Sequence, residues 1–265
     1  MRSGYWQDMT TRDFGAFDVE KTIAVLPVAA IEQHGPHLPL ATDALINAGI
    51  VRASLPHIAD DVVALFLPSL DYGSSSEHQD FAGTLAVEPE LLLNVWLNVL
   101  DDVARVGIRK IVILNTHGGQ KSLVDLAAMN LRTAHGMLAV RCNYFSFGSP
   151  AGMFSSEEWA AGLHGGEVET SLLLHLHPEL VRTDQVENFT SLATVLANKN
   201  KWLGAEKPIG FGWKAQDLNA AGVAGNAAQA DAERGEAYLA HIASSFTELL
   251  AEVAATPLGI IADAK

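Results

Sequence analysis

Two short apolar runs constrain this chain most: TIAVLPVAAI over residues 22–31 and KIVIL over 110–114, each breaking off into a polar loop that carries histidine, EQHGPH and NTHGGQ. Runs of this length that are apolar throughout belong to strands buried on both faces, and such strands deliver their chemistry at their carboxyl ends. The pattern around them alternates. VVALFL over 62–67 predicts another strand, Ser122 to Ala134 a helix, and LAVRCNYF a further strand. Residues 88–106 place Leu91, Leu92, Val95, Leu100 and Val103 at near-helical spacing between Pro89 and Gly107. The resulting βαβαβ order implies an α/β chain with a mostly parallel central sheet between two helical layers.

Several local expectations follow from single residues. Pro27 has no ladder donor, which predicts that its strand lies at an edge or is irregular there. Thr42 is expected to cap a helix through DALINAGIVRASL, with Asp43 in its first turn. HGGEVETSLLLHL predicts a helix stopped by Pro178, and AAQADAERGEAYLAHIASSFTELLAEVAA a closing amphipathic helix. Residues 183–225 read as loops and short strands, and the Ser/Gly-rich loop from Ser69 to Thr84 is long enough to suggest a functional role.

Composition narrows the partners. With 265 residues, 49% hydrophobic and 18% charged, the chain reads as one large domain over 1–265 rather than a disordered segment. A net charge of −14 without any Lys/Arg cluster argues against nucleic acid. The single cysteine, Cys142, rules out an internal disulfide framework. The N-terminal MRSGYWQDMTTRDF lacks an apolar signal core, and no eighteen-residue apolar run occurs, so a cytoplasmic protein without membrane insertion is expected.

Glu32 and His34 lie two apart where a strand ends, so both side chains point the same way if the chain stays extended. Asp43 returns to the same place through a short connection stiffened by Pro36 and Pro39, and His117 adds an imidazole from a second strand end, where Gly118 and Gly119 permit close backbone approach. Such a mixed nitrogen and oxygen set suits a divalent Zn, Mn or Fe ion. No G-x-S-x-G elbow is present to support a metal-free serine hydrolase.

IEQHGPHLPLATD, NTHGGQ and HGGEVETS resemble, in order, three signature segments of the creatininase family and together span most of the chain. The resemblance implies a creatininase-like three-layer α/β/α fold, a metal centre of two ions per subunit, a homo-oligomer (a hexamer in creatininase itself) and a small-molecule substrate. It implies metal ligation by Glu32, His34, Asp43 and His117, with Asp43 bridging. Creatininase proper carries a metal-binding glutamate two residues after the counterpart of His117, where this chain has Gly119. Glu167 is expected to replace it. Two residues apart on a helix, Glu167 and Glu169 cannot both face one ion, so Glu169 is expected beside the centre, orienting His164 or a ligand histidine. His164 matches the family's catalytic histidine, suited to protonating a departing nitrogen. His78, beside Glu77, also falls in a family-like region, and His37 is expected behind the ligands. His57, His135, His175, His177 and His241 read as structural, and Trp159, Trp202 and Trp213 as pocket or core. The function implied is hydrolysis of a C–N bond in a cyclic amide or formamide by metal-activated water. The alternatives are a peptide- or C–C-cleaving family hydrolase and a non-catalytic metal-binding scaffold.

Overall fold

The computed structural model describes residues 2–15 and 17–261, so the ends of the expected 1–265 span lie outside the described residues. Five parallel strands form the central sheet: β1 (Gly4–Tyr5), β2 (Thr22–Val28), β3 (Val63–Phe66), β4 (Lys110–Asn115) and β5 (Leu138–Asn143), in the order β1-β3-β2-β4-β5. Helices α1 (Thr42–Ser54), α2 (Pro89–Val106) and α3 (Lys121–His135) make the crossovers, with Gly107 ending α2 at φ 106°.

Alternation along each strand splits the core into two layers. Ile23, Val25, Phe66, Val112 and Leu114 meet α1 together with α5 (Glu167–Leu176) and α8 (Ala232–Ala255). Ala24, Leu26, Leu65, Ile111 and Ile113 meet α2 and α3, around the fully buried Trp96 and Leu100. A side chain of this size stabilises by about 1.5–3 kcal/mol when fully buried. The ladder that holds the loops following β2 and β4 is therefore deeply anchored, and the three-layer α/β/α architecture is as expected.

Two local expectations are corrected. Pro27 lies neither at an edge nor at an irregularity: β2 is the middle strand, and Pro27 sits in register opposite Leu114. Its carbonyl accepts from the N–H of Leu70 at 3.0 Å, so its missing donor would face the side on which β3 has already ended at Phe66, and no ladder bond is forfeited there. Thr42 is the first helical residue, not the cap, and its hydroxyl donates to the Pro39 carbonyl at 2.7 Å.

Residues 183–225, expected to lack helices, contain α6 (Leu192–Lys199) and α7 (Ala215–Leu218). They also hold β6 (Asn188–Phe189), which pairs antiparallel with β7 (Gly225–Asn226). A six-residue helix, α4 (Ser156–Ala161), precedes α5 and is capped by the Ser155 hydroxyl accepting from the Glu158 N–H. No helix among the described residues is long and apolar enough to cross a membrane.

Candidate metal centre

Glu32, His34, Asp43, His117, His164 and Glu169 converge beyond the carboxyl ends of β2 and β4. All are buried except Glu169, whose side chain is 15% exposed. Asp43 is set by α1, whose Asn47 amide donates to the carbonyls of Val28 and Leu114 at the strand ends, while Thr116 donates to the Asp43 carbonyl at 2.9 Å. His117 Nδ1 lies 3.2 Å from Glu32 Oε1 and 3.3 Å from Asp43 Oδ2. His34 Nε2 lies 3.5 Å from Asp43 Oδ1 and 3.9 Å from Glu169 Oε2. Three groupings bring ligand atoms within 4.8 Å of one another: Glu32, Asp43 and His117; His34, Asp43 and Glu169; and Glu32, His34 and His164.

The rings are locked in one sense. His34 Nδ1 donates to the Glu32 carbonyl at 3.1 Å, His117 Nε2 to the Ser74 carbonyl at 2.9 Å and His164 Nε2 to the Gln33 carbonyl at 2.7 Å. A carbonyl only accepts, so each ring turns its other nitrogen toward the carboxylates, the arrangement by which proteins orient metal-ligating imidazoles. His34 Nε2, both oxygens of Glu32 and Asp43 Oδ2 are buried without a hydrogen-bonding partner. Buried polar atoms left in that state cost free energy, and a divalent cation would satisfy all of them together.

The charge balance points the same way. Burial opposes the protonated form of His34, but Asp43, Glu169 and Glu32 overcome it and hold the ring at about 9. His117 is likewise held well above the ordinary range, its burial outweighed by Glu32 and Asp43. Burial pushes Glu169 up to about 7, while Asp43, between two imidazoles that overcome its burial, falls to about 2. The carboxylates draw protons onto neighbouring rings because the cluster calls for positive charge. His164 differs: burial, with His34 and His78 beside it, drives it well below the ordinary range and leaves it neutral.

The geometry exchanges the expected places of Glu167 and Glu169. Only one of the two faces the cluster, as their spacing requires, and it is Glu169. Glu167 opens α5 and turns to Arg234 of α8. Glu169 stands at the third helical position, where a glutamate reaches back over the helix start, and its carboxylate accepts from the Gly165 N–H at 2.6 Å.

His78 stands deeper in the site than its sequence suggested, with Nε2 3.4 Å from Glu32 Oε1. Gln33 fixes its proton. The Gln33 carbonyl oxygen accepts from the Gly35 N–H, and its amide nitrogen donates to the Gly222 carbonyl and to His78 Nδ1. His78 therefore carries its hydrogen on Nε2 and turns that N–H side, not a lone pair, toward Glu32 without completing a hydrogen bond. Its neighbour Glu77 explains Gly119: a Cβ at that position would fall 1.8 Å from Glu77 Oε1.

His37 lies behind the centre as expected, bonded to the Gly165 carbonyl and stacked on Phe189. His135, His177 and His241 bond elsewhere, to Asp101, Glu179 and the Phe147 carbonyl. The centre opens into a cavity of about 610 Å³, walled on one side by Gly118, Gly119 and Lys121 and on the other by Trp159, Phe211 and Trp213. Trp202 is 60% exposed and does not line it. Lys121 crosses the mouth to Glu206 at 3.1 Å.

The creatininase (creatinine amidohydrolase) family profile matches residues 7–250. The mycofactocin precursor peptide peptidase of Mycobacterium ulcerans is 33% identical over 70% of this chain and 72% of its own length. The peptidase of the same name from Mycobacterium tuberculosis is 35% identical over 61% of this chain and 61% of its own length, so the chain spans less than two thirds of that relative. A solved creatininase in its manganese form superposes with a TM-score of 0.73 at 25% identity, covering 95% of this chain and 98% of that one. With the profile spanning nearly the whole chain and a cluster of side chains suited to divalent metal beyond the strand ends, this chain belongs to the creatininase family.

Proposed function

We propose that this chain is a metal-dependent hydrolase whose substrate is a peptide, in preference to the cyclic amide or formamide that the sequence resemblance suggested first. The observation that carries this reading is the cavity: about 610 Å³ lies in front of the carboxylate–histidine centre, within the range of sites that enclose ligands much larger than one small ring. Gly118 in its lining leaves open space for an extended backbone to come close, and its aromatic residues offer side-chain contacts. The peptidase relatives support the same choice.

In this reading Glu32, Asp43 and His117 hold one divalent ion and His34, Asp43 and Glu169 a second, Asp43 being shared. Glu169 thus takes the place first expected for Glu167. When bound, such ions supply Lewis-acid polarisation of a carbonyl and lower the pKa of water toward neutrality. The chain's residues do the rest. His164, neutral and with Nδ1 unprotonated 3.7 Å from Glu32 Oε1, accepts a proton from the attacking water and returns it to the leaving nitrogen. His78 turns the Nε2–H side of its ring toward Glu32 Oε1, 3.4 Å away. Trp159, Phe211 and Trp213 exclude bulk water from the bond being broken. A homo-oligomer and a cytoplasmic location belong to the same proposal.

The test is a panel of short peptides, lactams including creatinine, and formamides, offered to the manganese- or zinc-loaded protein with and without chelator. Chelator-sensitive cleavage of peptides, with lactams turned over far more slowly, is the expected result. Turnover confined to lactams or formamides would restore the first expectation, and none on any substrate would leave a metal-binding scaffold.

A further inference from the structure

One buried carboxylate of the cavity wall plays no part in the ligand groupings. Glu158, on α4, is 5% exposed, and its two oxygens serve two separate backbone segments: Oε1 accepts from the Glu167 N–H at 2.7 Å and Oε2 from the Asn226 N–H at 2.9 Å. Glu167 opens the helix whose first turn also carries Glu169. Asn226 lies two residues beyond Ala224, whose N–H and carbonyl pair with the backbone of His164 at 2.8 and 3.2 Å. Both segments bearing site residues on this side are thus tied to one side chain.

Three glycines leave room for that side chain. A Cβ at Gly162, Gly166 or Gly225 would fall 2.4, 2.1 or 2.8 Å from a Glu158 carboxylate oxygen. Gly225, at φ 153°, has a backbone reason to be glycine, but Gly162 and Gly166 stand at φ −80° and −82°, open to any residue. A Cβ at these two is excluded by crowding rather than by chain conformation, from the Glu158 carboxylate and also from the Glu158 carbonyl oxygen at Gly162 and the Gly225 Cα at Gly166.

We propose that Glu158 is a positioning residue for the ion site of His34, Asp43 and Glu169: by holding the first turn of α5 it sets the distance between the Glu169 carboxylate and His34. The inference rests on the two-ion reading above. It predicts a selective effect, because the other site, Glu32, Asp43 and His117, is built on the loops that follow β2 and β4 and on the first turn of α1, none of which Glu158 hydrogen-bonds. Partners that orient ligands from behind contribute about 10–100-fold in metal affinity.

The experiment is calorimetric titration of the chelator-stripped full-length chain with Mn²⁺ and with Co²⁺, for wild type, Glu158→Gln and Gly166→Ala. Gln keeps the shape but sets an amide N–H₂ against a backbone donor, and the alanine methyl pushes the carboxylate off the Glu167 N–H. Both variants are expected to bind one of the two ions about 10–100-fold less tightly, to bind the other as wild type does, and to alter the Co²⁺ visible spectrum of the weakened site alone. Equal weakening of both ions, wild-type affinities for both, or failure of both variants to fold would each overturn the inference. A wild type that binds fewer than two ions would instead overturn the reading beneath it.

Discussion

Glu32, His34, Asp43 and His117 occupy the loops after β2 and β4 and the first turn of α1, while His164 lies between α4 and α5 and Glu169 in the first turn of α5, outside the strands of the main sheet. The first wall inherits its geometry from a parallel ladder whose residues are fully buried. The second is held by individual contacts: the Glu158 side chain on two backbone N–H groups, Arg234 on Glu167, and the Gln33 backbone carbonyl under the His164 ring. One wall is fixed by the fold and the other by a few replaceable contacts. Within a shared scaffold the first suits invariant chemistry and the second suits adjustment of the ion that Glu169 would hold and of substrate access.

Asp43 belongs to both ion groupings, so its loss tests the shared floor of the two walls. Asp43→Ala is expected to abolish tight binding of either ion and to lower turnover by about 10⁴-fold or more, measured by elemental analysis and steady-state kinetics. A variant that keeps one ion would show that the walls bind independently. His164→Ala comes next: both ions are expected to stay while kcat falls by roughly 10²–10³-fold, as removal of a proton carrier does. Loss of an ion in that variant would move His164 into the third grouping, with Glu32 and His34, as a ligand.

The difference between the walls is also the difference between what the sequence disclosed and what it withheld. Strand ends announce themselves, since TIAVLPVAAI and KIVIL stop at polar loops, and the first wall was legible residue by residue. The second wall was legible only as far as its helix. The spacing of Glu167 and Glu169 showed that one of them must face away, but the choice depended on Arg234, which lies 67 residues further on, on α8. Glu158 gave no local signal, being an ordinary glutamate in a six-residue helix, although a glutamate at the third helical position was a usable hint for Glu169. Glu77 was hidden for the same reason, since only the folded loop shows it filling the space above Gly119.

A paired substitution sharpens that choice. Glu169→Gln is expected to release one ion per chain at micromolar metal and to leave the other, whereas Glu167→Gln keeps both and costs about 1–2 kcal/mol of stability through the half-buried Arg234 contact. Elemental analysis and thermal unfolding read the two effects separately. The reverse pattern would return Glu167 to the metal.

The smallest effect is a pH dependence at the junction of the walls, where His34 meets Asp43 and Glu169. In the ion-free chain His34 titrates at about 9 instead of 6.5, so the folded state holds a proton that the unfolded state releases above 6.5. The associated stability is fully present below 6.5 and is lost as pH rises through 9. Glu169, raised to about 7 from 4.5, acts in the same sense at lower pH, because the folded chain again keeps the proton longer. A bound divalent ion takes the place of these protons, so metal affinity rises over the window in which the stripped protein weakens. Thermal unfolding of chelated and manganese-loaded protein between about pH 6.5 and pH 9 is expected to show a progressive loss of stability in the first and little in the second. Parallel curves would show that no ion displaces the His34 proton, and that the junction is an ordinary buried ion pair.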